Sequence, residues 1–319
     1  MANIILVTGA AGFIGFHLCK KLLDMGDMVI GVDNMNNYYD PNLKKARLNI
    51  LKKYSKFIFF KEDIHNFDGL KKIFQEYKIE VICNLAAQAG VRYSIKDPFS
   101  YQKSNMEGFL NIIELARHFK IKNFIYASSS SVYGKNKKVP FSVEDKVDSP
   151  VSLYGATKKA NELIAHAYHH LYKIPCTGLR YFTVYGPWGR PDMAYFLFTD
   201  AIIKEKPIKV FNYGDMKRDF TYIDDIIEGT IAAINKVFPF EIFNLGNSKP
   251  VSLMKFIATL EQLLGKEAKK EFLPIQPGDV PETYAEIGKS TQLLGFKPQT
   301  PLNKGLEKFV NWYKEYYRV

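Results

Sequence analysis

The sequence predicts an α/β protein: a Rossmann-type doubly wound parallel sheet with helices on both faces, followed by a smaller C-terminal α/β lobe. Three observations carry this. Short apolar runs alternate with patterns of helical period from residue 3 to residue 181, a glycine-rich turn stands directly after the first run, and the alternation breaks at Gly186-Pro187.

The first run, 3–8, is rich in branched aliphatics, which suit a buried strand. Gly9, Gly12 and Gly15 follow it, and then a helix bearing Phe16, Leu18, Leu22 and Leu23. Strand, glycine turn, helix is the order a phosphate cradle needs. Glycines permit the tight turn and close backbone approach, and the helix N-terminus offers unpaired N–H donors to a pyrophosphate. The second strand, 28–32, ends in Asp33. A carboxylate there accepts both ribose hydroxyls of adenosine and repels a 2′-phosphate, so the expected cofactor is NAD rather than NADP.

Strand 56–60 precedes Asp63 and Ile64, a helix spans about 67–77, and strand 80–84 leads into Leu85, Ala86 and Ala87. Ligands of open parallel sheets gather at the carboxyl ends of the strands, where these residues fall. A helix over 99–119, with Phe109, Ile112, Ile113 and Ala116 on one side, leads into strand 123–127 and the run Ser128 to Ser131. Hydroxyl donors are therefore expected beside the cofactor.

The helix 151–172 carries Tyr154 and Lys158, four residues apart and so on one face, where an ammonium can stabilise a phenolate. A free tyrosine titrates near pH 10, and work near neutrality asks its surroundings for about three units, roughly 4 kcal/mol. The pair alone also arises by chance on a solvated helix. Leu163, Ile164, Ala167 and Leu171 recur at helical spacing and are expected to face the core. His166, His169 and His170 lack an accompanying carboxylate or cysteine cluster, so no metal is assigned.

Residues 1–181 are expected to form the nucleotide-binding domain, with 216–244 packing back onto it. Helix 222–236 does so through a stripe of Ile223, Ile226, Ile227, Ile231 and Ile234. The second lobe is discontinuous, 182–215 and 245–319, and its last helix packs through Leu306, Phe309, Val310 and Tyr313.

Across 319 residues, 47% hydrophobic and 24% charged is the balance of a soluble globular protein. The opening apolar run is too short for a secretory signal and no run is long enough to span a bilayer, so no membrane association and a cytoplasmic location are expected. Cys19, Cys83 and Cys176 are scattered, which suggests buried apolar residues and neither disulfides nor a thiolate metal site. The formal charge of +11 comes from lysines spread over many helices, a solvated surface rather than a nucleic-acid patch. Such a field also draws in anionic small molecules.

The three glycines, Asp33, Asn84 to Ala87, the serines before Val132-Tyr133-Gly134 and the Tyr154/Lys158 pair together resemble the extended short-chain dehydrogenase/reductase family. Within it the chain resembles UDP-glucuronate 4-epimerases, through Asn37-Tyr38-Tyr39-Asp40-Pro41, Gln88 to Ser94, and the long segment Tyr181 to Ala194. The resemblance implies an isomerase with tightly bound NAD, regenerated each cycle. Tyr154 is the catalytic base, Lys158 holds the nicotinamide ribose and lowers the tyrosine pKa, and Ser129 shares the sugar 4-hydroxyl. It adds Phe13, Ile14 and Tyr181 to the cofactor contacts. Gln88, Arg92, Ser130, Ser131, Thr183, Arg190, Val210, Arg218, Gln276 and Asp279 become substrate contacts, with Arg218 meeting the diphosphate and Thr183 a carboxylate on carbon 6. Related dehydratases carry acidic residues where this chain has Ser130 and Ser131, and that difference argues for simple redox at carbon 4. The expected substrate is UDP-glucuronate, with UDP-N-acetylglucosamine or UDP-glucose as the alternative sugar and a non-catalytic NAD-binding regulator as the alternative class. A homodimer through helices 99–119 and 151–172 is expected by the same analogy.

Overall fold

The computed structural model describes residues 3–276 and 278–319. The first half alternates as the sequence predicts: β1 (Ile4–Thr8), α1 (Phe13–Asp24), β2 (Met28–Val32), α2 (Pro41–Leu51), β3 (Phe57–Phe60), α3 (Phe67–Glu76), β4 (Val81–Asn84), α4 (Tyr93–Lys96), α5 (Pro98–Tyr101), α6 (Gly108–His118), β5 (Asn123–Ser129), α7 (Leu153–Tyr172) and β6 (Cys176–Tyr181). The second half runs β7 (Thr183–Tyr185), α8 (Ala194–Ile203), β8 (Ile208–Phe211), β9 (Lys217–Arg218), β10 (Phe220–Tyr222), α9 (Ile223–Asn235), β11 (Phe240–Leu245), β12 (Val251–Ser252), α10 (Leu253–Leu264), β13 (Lys270–Leu273), β14 (Glu282–Thr283), α11 (Gly288–Leu294) and α12 (Leu302–Tyr317).

Seven strands form one parallel sheet in the order β11-β6-β5-β4-β1-β2-β3. The order reverses between β1 and β4, so the loops leaving their carboxyl ends diverge and leave a crevice. Thr8 pins that point: its hydroxyl donates to Asn84 Oδ1 at 2.6 Å and accepts from Ala86 N at 3.0 Å. Ile5, Leu6, Val7, Ile82 and Cys83 are wholly buried, as strands covered on both faces must be. All three cysteines are free and buried.

Helix α9 buries its five isoleucines and packs on α1. Helix α12 buries Leu306, Phe309, Val310 and Tyr313 against α10 and β10. Small sheets, β8 with β13 and β9 between β12 and β14, lie over the crevice's far end. Asp219 ties these parts together: buried completely, it accepts from the backbone N–H groups of Asn247, Ser248 and Ala285 and from the Thr221 hydroxyl.

Two expectations need correction. The helix expected over 99–119 is interrupted by a π-helical stretch, Gln102–Glu107. The widened turn carries Asn105 inward, where it accepts from Gln88 N at 2.8 Å and donates to Gln88 O and Thr157 Oγ1. Second, Leu163, Ala167 and Leu171 do not face the core: Leu163 is 59% and Leu171 64% exposed, and Ile164 is half-buried. The buried face of α7 is Gly155, Thr157, Lys158, Asn161, Glu162 and Ala165. Periodicity locates faces but does not say which is buried. Here the polar face is the inner one because partners satisfy it: Asn161 donates to Asn105 O at 2.7 Å, and Glu162 takes two hydrogen bonds from buried Arg180.

Candidate active site

A cleft of about 1090 Å³ runs from the glycine turn to the small sheets. At the turn, Gly9 has φ +70°, and a Cβ there would lie 3.0 Å from Ala86 N; a Cβ on Gly15 would fall 2.0 Å from the Gly9 carbonyl. Only bare backbone fits. Gly12 caps α1 without a side-chain hydrogen bond, so first-turn N–H groups of Phe13, Ile14 and Gly15 remain available to an anion.

Asp33 closes the next wall, its Oδ2 accepting from Ala11 N at 3.1 Å and its Oδ1 from Met35 N at 2.8 Å. Lys44, buried and absent from the sequence reading, brings its ammonium to 3.6 Å from Asp33 and 2.9 Å from Asn36 Oδ1. Burial pushes the Asp63 carboxyl up, but hydrogen bonds from Asn34 and His65 outweigh it and hold the group below its ordinary value. Ile64, Leu85, Ala86, Ala87 and Tyr181 complete this end. The tight turn, the free helix N-terminus and a carboxylate beyond β2 together fit a dinucleotide.

Ser152 starts α7 by accepting from Gly155 N at 3.0 Å, and this fixes Tyr154 and Lys158 at the cleft's middle. Burial pushes the Tyr154 phenol above its ordinary value, while a hydrogen bond with Ser129 and the positive charge of Arg190 pull it back. Lys158 instead donates to Ala127 O at 2.7 Å, and burial brings its ammonium down to about 8. Arg190 thus adds a positive charge that eases the phenol, while the Lys158 ammonium is engaged at Ala127 O in β5. Arg190 is held by Asp192, with Nε to Oδ1 at 3.0 Å, and Asp192 also accepts from Tyr38 OH at 3.1 Å.

Ser129, Ser130, Ser131 and Thr183 line the cleft beside Tyr154. The Ser128 hydroxyl is turned away and donates to buried Glu162 at 2.7 Å. Beyond them Arg92, 55% exposed, stacks over Phe211 at 4.9 Å and lies 3.5 Å from Asp279 Oδ2. Arg218 donates to the carbonyls of Lys217 and Pro281; burial, with Arg92 nearby, holds its pKa below the ordinary value against the pull of Asp279. Two cations served by one carboxylate make a place for an anion. Gln88 and Gln276 also line the cleft, and Pro277 lies outside the described residues. Val210 does not reach the cleft with its side chain: it is wholly buried, paired with Phe272, while Lys209 and Phe211 on either side face the opening.

Two histidines of α7 serve packing, His166 meeting the Phe240 ring edge-on and His169 Nδ1 bonding Ile174 O at 3.0 Å, while His170 is exposed. Among the described residues no cluster of His, Cys, Asp and Glu is arranged to hold a metal. Asn105, Lys44, His17 and Arg47 escaped sequence reading because each acts through contacts distant in the chain.

Comparison with known proteins places these features among relatives. The profile of the "NAD dependent epimerase/dehydratase family" matches residues 5–246. An uncharacterised protein of Methanocaldococcus jannaschii is 57% identical over 313 residues, 98% of this chain and 96% of that protein. A UDP-glucuronate 4-epimerase of Thermodesulfobacterium geofontis is 50% identical over 311 residues, 97% of this chain and 96% of that one. The crystal structure of UDP-glucuronic acid 4-epimerase from Bacillus cereus, in complex with UDP-glucuronic acid and NAD, superposes with a TM-score of 0.93 at 41% identity, over 98% of this chain and 100% of that chain.

Proposed function

We infer that this chain, which belongs to the NAD dependent epimerase/dehydratase family, is a UDP-glucuronate 4-epimerase that works with bound NAD and yields UDP-galacturonate. The observation that carries the reading is the Tyr154 phenol set among Ser129, Ser130, Ser131 and Thr183, next to a dinucleotide turn and with no carboxylate at those four positions.

When bound, NAD supplies an electron acceptor that is restored within each turnover. The chain's own work is proton transfer and positioning. Tyr154 takes the proton of the sugar 4-hydroxyl, with the Ser129 hydroxyl bridging them, and Arg190 favours the phenolate. Lys158 has N–H donors left beyond Ala127 O for the ribose beside the ring. Gly9, Gly12 and Gly15 cradle the pyrophosphate, and Asp33 takes the adenosine ribose. Arg92 and Arg218 face the sugar-nucleotide diphosphate. The 4-keto sugar turns over about its link to that diphosphate and is reduced from its other face. As a β-keto acid it is prone to lose carbon dioxide, a path that removes the carboxylate charge. Hydroxyls of Ser130, Ser131 and Thr183 stabilise that charge and hinder the loss.

The same reading divides the chain into an NAD-binding domain, 1–181 with 216–244, and a sugar-nucleotide lobe, 182–215 with 245–319. It also takes the protein to be a cytoplasmic homodimer. Exposed Phe99, Leu110, Leu163, Leu171 and Tyr172, on α7 and on α5 and α6 that each pack against it, support self-association. No described helix is long and apolar enough to cross a membrane.

The test is to supply purified protein with UDP-glucuronate, UDP-N-acetylglucosamine and UDP-glucose in parallel, without added coenzyme, and to resolve the C4 isomers. UDP-galacturonate should form fastest. Preferential turnover of another sugar overturns the substrate, and no turnover overturns the enzyme.

A further inference from the structure

Behind the cleft, two side chains that do not line it, His17 and Arg47, join its two halves. The segment leaving β7 turns through Gly186 (φ +147°) and Trp188 (φ +60°) before it brings Arg190 into the wall of the cleft that Tyr154 also lines. Three consecutive carbonyls of that segment are taken by side chains from the cofactor half. His17 Nε2 donates to Pro187 O at 2.9 Å, and one terminal nitrogen of Arg47 donates to Trp188 O at 2.5 Å and Gly189 O at 3.1 Å. The other terminal nitrogen of Arg47 donates at 2.8 Å to Ala11 O, inside the glycine turn, and at 2.8 Å to Tyr39 OH.

Arg47 is wholly buried, its partners are carbonyls and a phenol, and its Nε has no acceptor among the described residues. A guanidinium held this way carries a desolvation penalty that packing alone does not require. What it accomplishes is geometric: one rigid fork spans the turn that cradles a pyrophosphate and the segment that ends in Arg190. The neighbouring Tyr38 grips the far end of that segment through Asp192.

We propose that Arg47 is a positioning residue, seconded by Tyr38: by tying the Ala11 carbonyl to those of Trp188 and Gly189 it sets where the Arg190 guanidinium stands against the Tyr154 phenol. The proposal rests on the reading of Tyr154 as proton acceptor. It accounts for the Asn37 to Pro41 motif and α2, which the mechanism otherwise leaves without a part. Tyr154 faces Ser129 from β5, Tyr101 from α5 with ring centres 6.1 Å apart, and Arg190; Lys158 shares its helix with the ammonium on Ala127 O, and Asp192 and Tyr38 stand behind Arg190.

The test compares NAD-loaded wild type, Arg47→Met, Arg47→Lys, Tyr38→Phe, Arg190→Met and the double variant Arg47→Met/Arg190→Met, following kcat and KM for UDP-glucuronate across pH. Small displacements of a group beside the reacting atoms cost rate rather than binding, so Arg47→Met should lower kcat about 10- to 100-fold with little change in KM. The acidic limb of its kcat profile should move to higher pH, as in Arg190→Met, with Arg47→Lys recovering part of the loss and Tyr38→Phe shifting the limb less. The double variant should be no slower than Arg190→Met alone. A wild-type kcat and limb in Arg47→Met despite a lowered Tm, or losses that multiply in the double variant, overturn the proposal. Should Arg47→Met not fold, Arg47→Lys and Tyr38→Phe are read against the same two criteria, and an unmoved limb in both overturns it. Wild type inactive on UDP-glucuronate means instead that the functional reading has failed.

Discussion

The two ends of the cleft recognise their ligands by opposite means. At the glycine turn the walls are backbone: a Cβ on Gly15 would strike the Gly9 carbonyl, and α1 offers its free first-turn N–H groups to an anion. At the far end the walls are side chains, Arg92, Arg218, Gln276 and Asp279, brought from three separated stretches. A backbone site is set by steric exclusion, which only glycine answers, whereas a side-chain site tolerates exchange of one donor for another. The first end should therefore resemble many relatives and the second should carry what is particular to this sugar.

Tyr154, between the two ends, gives the largest test of that contrast. Tyr154→Phe removes the proton acceptor but no wall of either subsite, so kcat should fall about 10³-fold, within the range for a lost acid–base group, while co-purified NAD and KM stay near wild type. NAD content and product formation measured on one preparation check this. Loss of NAD along with activity would mean that the phenol belongs to the cofactor end.

His17 offers the next largest, through stability. Burial takes its pKa down to about 4, opposed by its hydrogen bond to Pro187 O, from an ordinary 6.5. The unfolded chain therefore binds the proton first, and stability is lost as pH falls from 6.5 toward 4. The full shift represents roughly 3 kcal/mol, discounted because the ring is only partly shielded. In His17→Gln that part of the acid sensitivity should vanish from urea melts at pH 7 and pH 5. Equal slopes in the two proteins would show that the ring is solvated and that the brace to Pro187 carries no weight.

At the far end, Arg218→Met should raise KM for the UDP-sugar about 10- to 100-fold, as expected for a charge-assisted contact of about 1.5–3 kcal/mol, with kcat and NAD content nearly unchanged. The wild-type KM should also rise with salt and the variant's rise less, because one screened cation is gone. An unaltered KM would assign the diphosphate to Arg92 alone.

The same contrast explains what was legible in the sequence. The strand ends at Asp33, Asp63 and Leu85 were readable because period and glycine placement are local, and the parallel sheet follows from alternation, but β11, which joins it from beyond the break at Gly186-Pro187, does not. The orientation of α7 was not, since Leu163 and Leu171 have the spacing of a core face yet point outward, and the inner face is polar with Asn161 and Glu162 satisfied by distant partners. Likewise Arg190, whose positive charge eases the Tyr154 phenol, is thirty-odd positions from it along the chain, and nothing in the spacing of Lys158 foretells its bond to Ala127 O. Pairing across loops leaves no periodic trace.

Thr183 is the smallest of these tests and the one most specific to the sugar. It begins β7, half-buried, with its N–H donating to Asp219 O, so Thr183→Val keeps the branched shape and the backbone bond and deletes only a hydroxyl. A hydroxyl bond to a carboxylate is charge-assisted and, being shared with Ser130 and Ser131, falls at the low end of the range for such bonds, about 1.5 kcal/mol, which predicts roughly a tenfold loss in kcat/KM for UDP-glucuronate. UDP-glucose lacks the carboxylate, so any slow turnover of it should change less. The sharper readout is the product: with one stabilising hydroxyl gone, the path that discards the charge gains ground, and a UDP-pentose should appear beside UDP-galacturonate. Equal losses on both sugars with no pentose would make Thr183 a packed strand residue and leave the serines to hold the carboxylate.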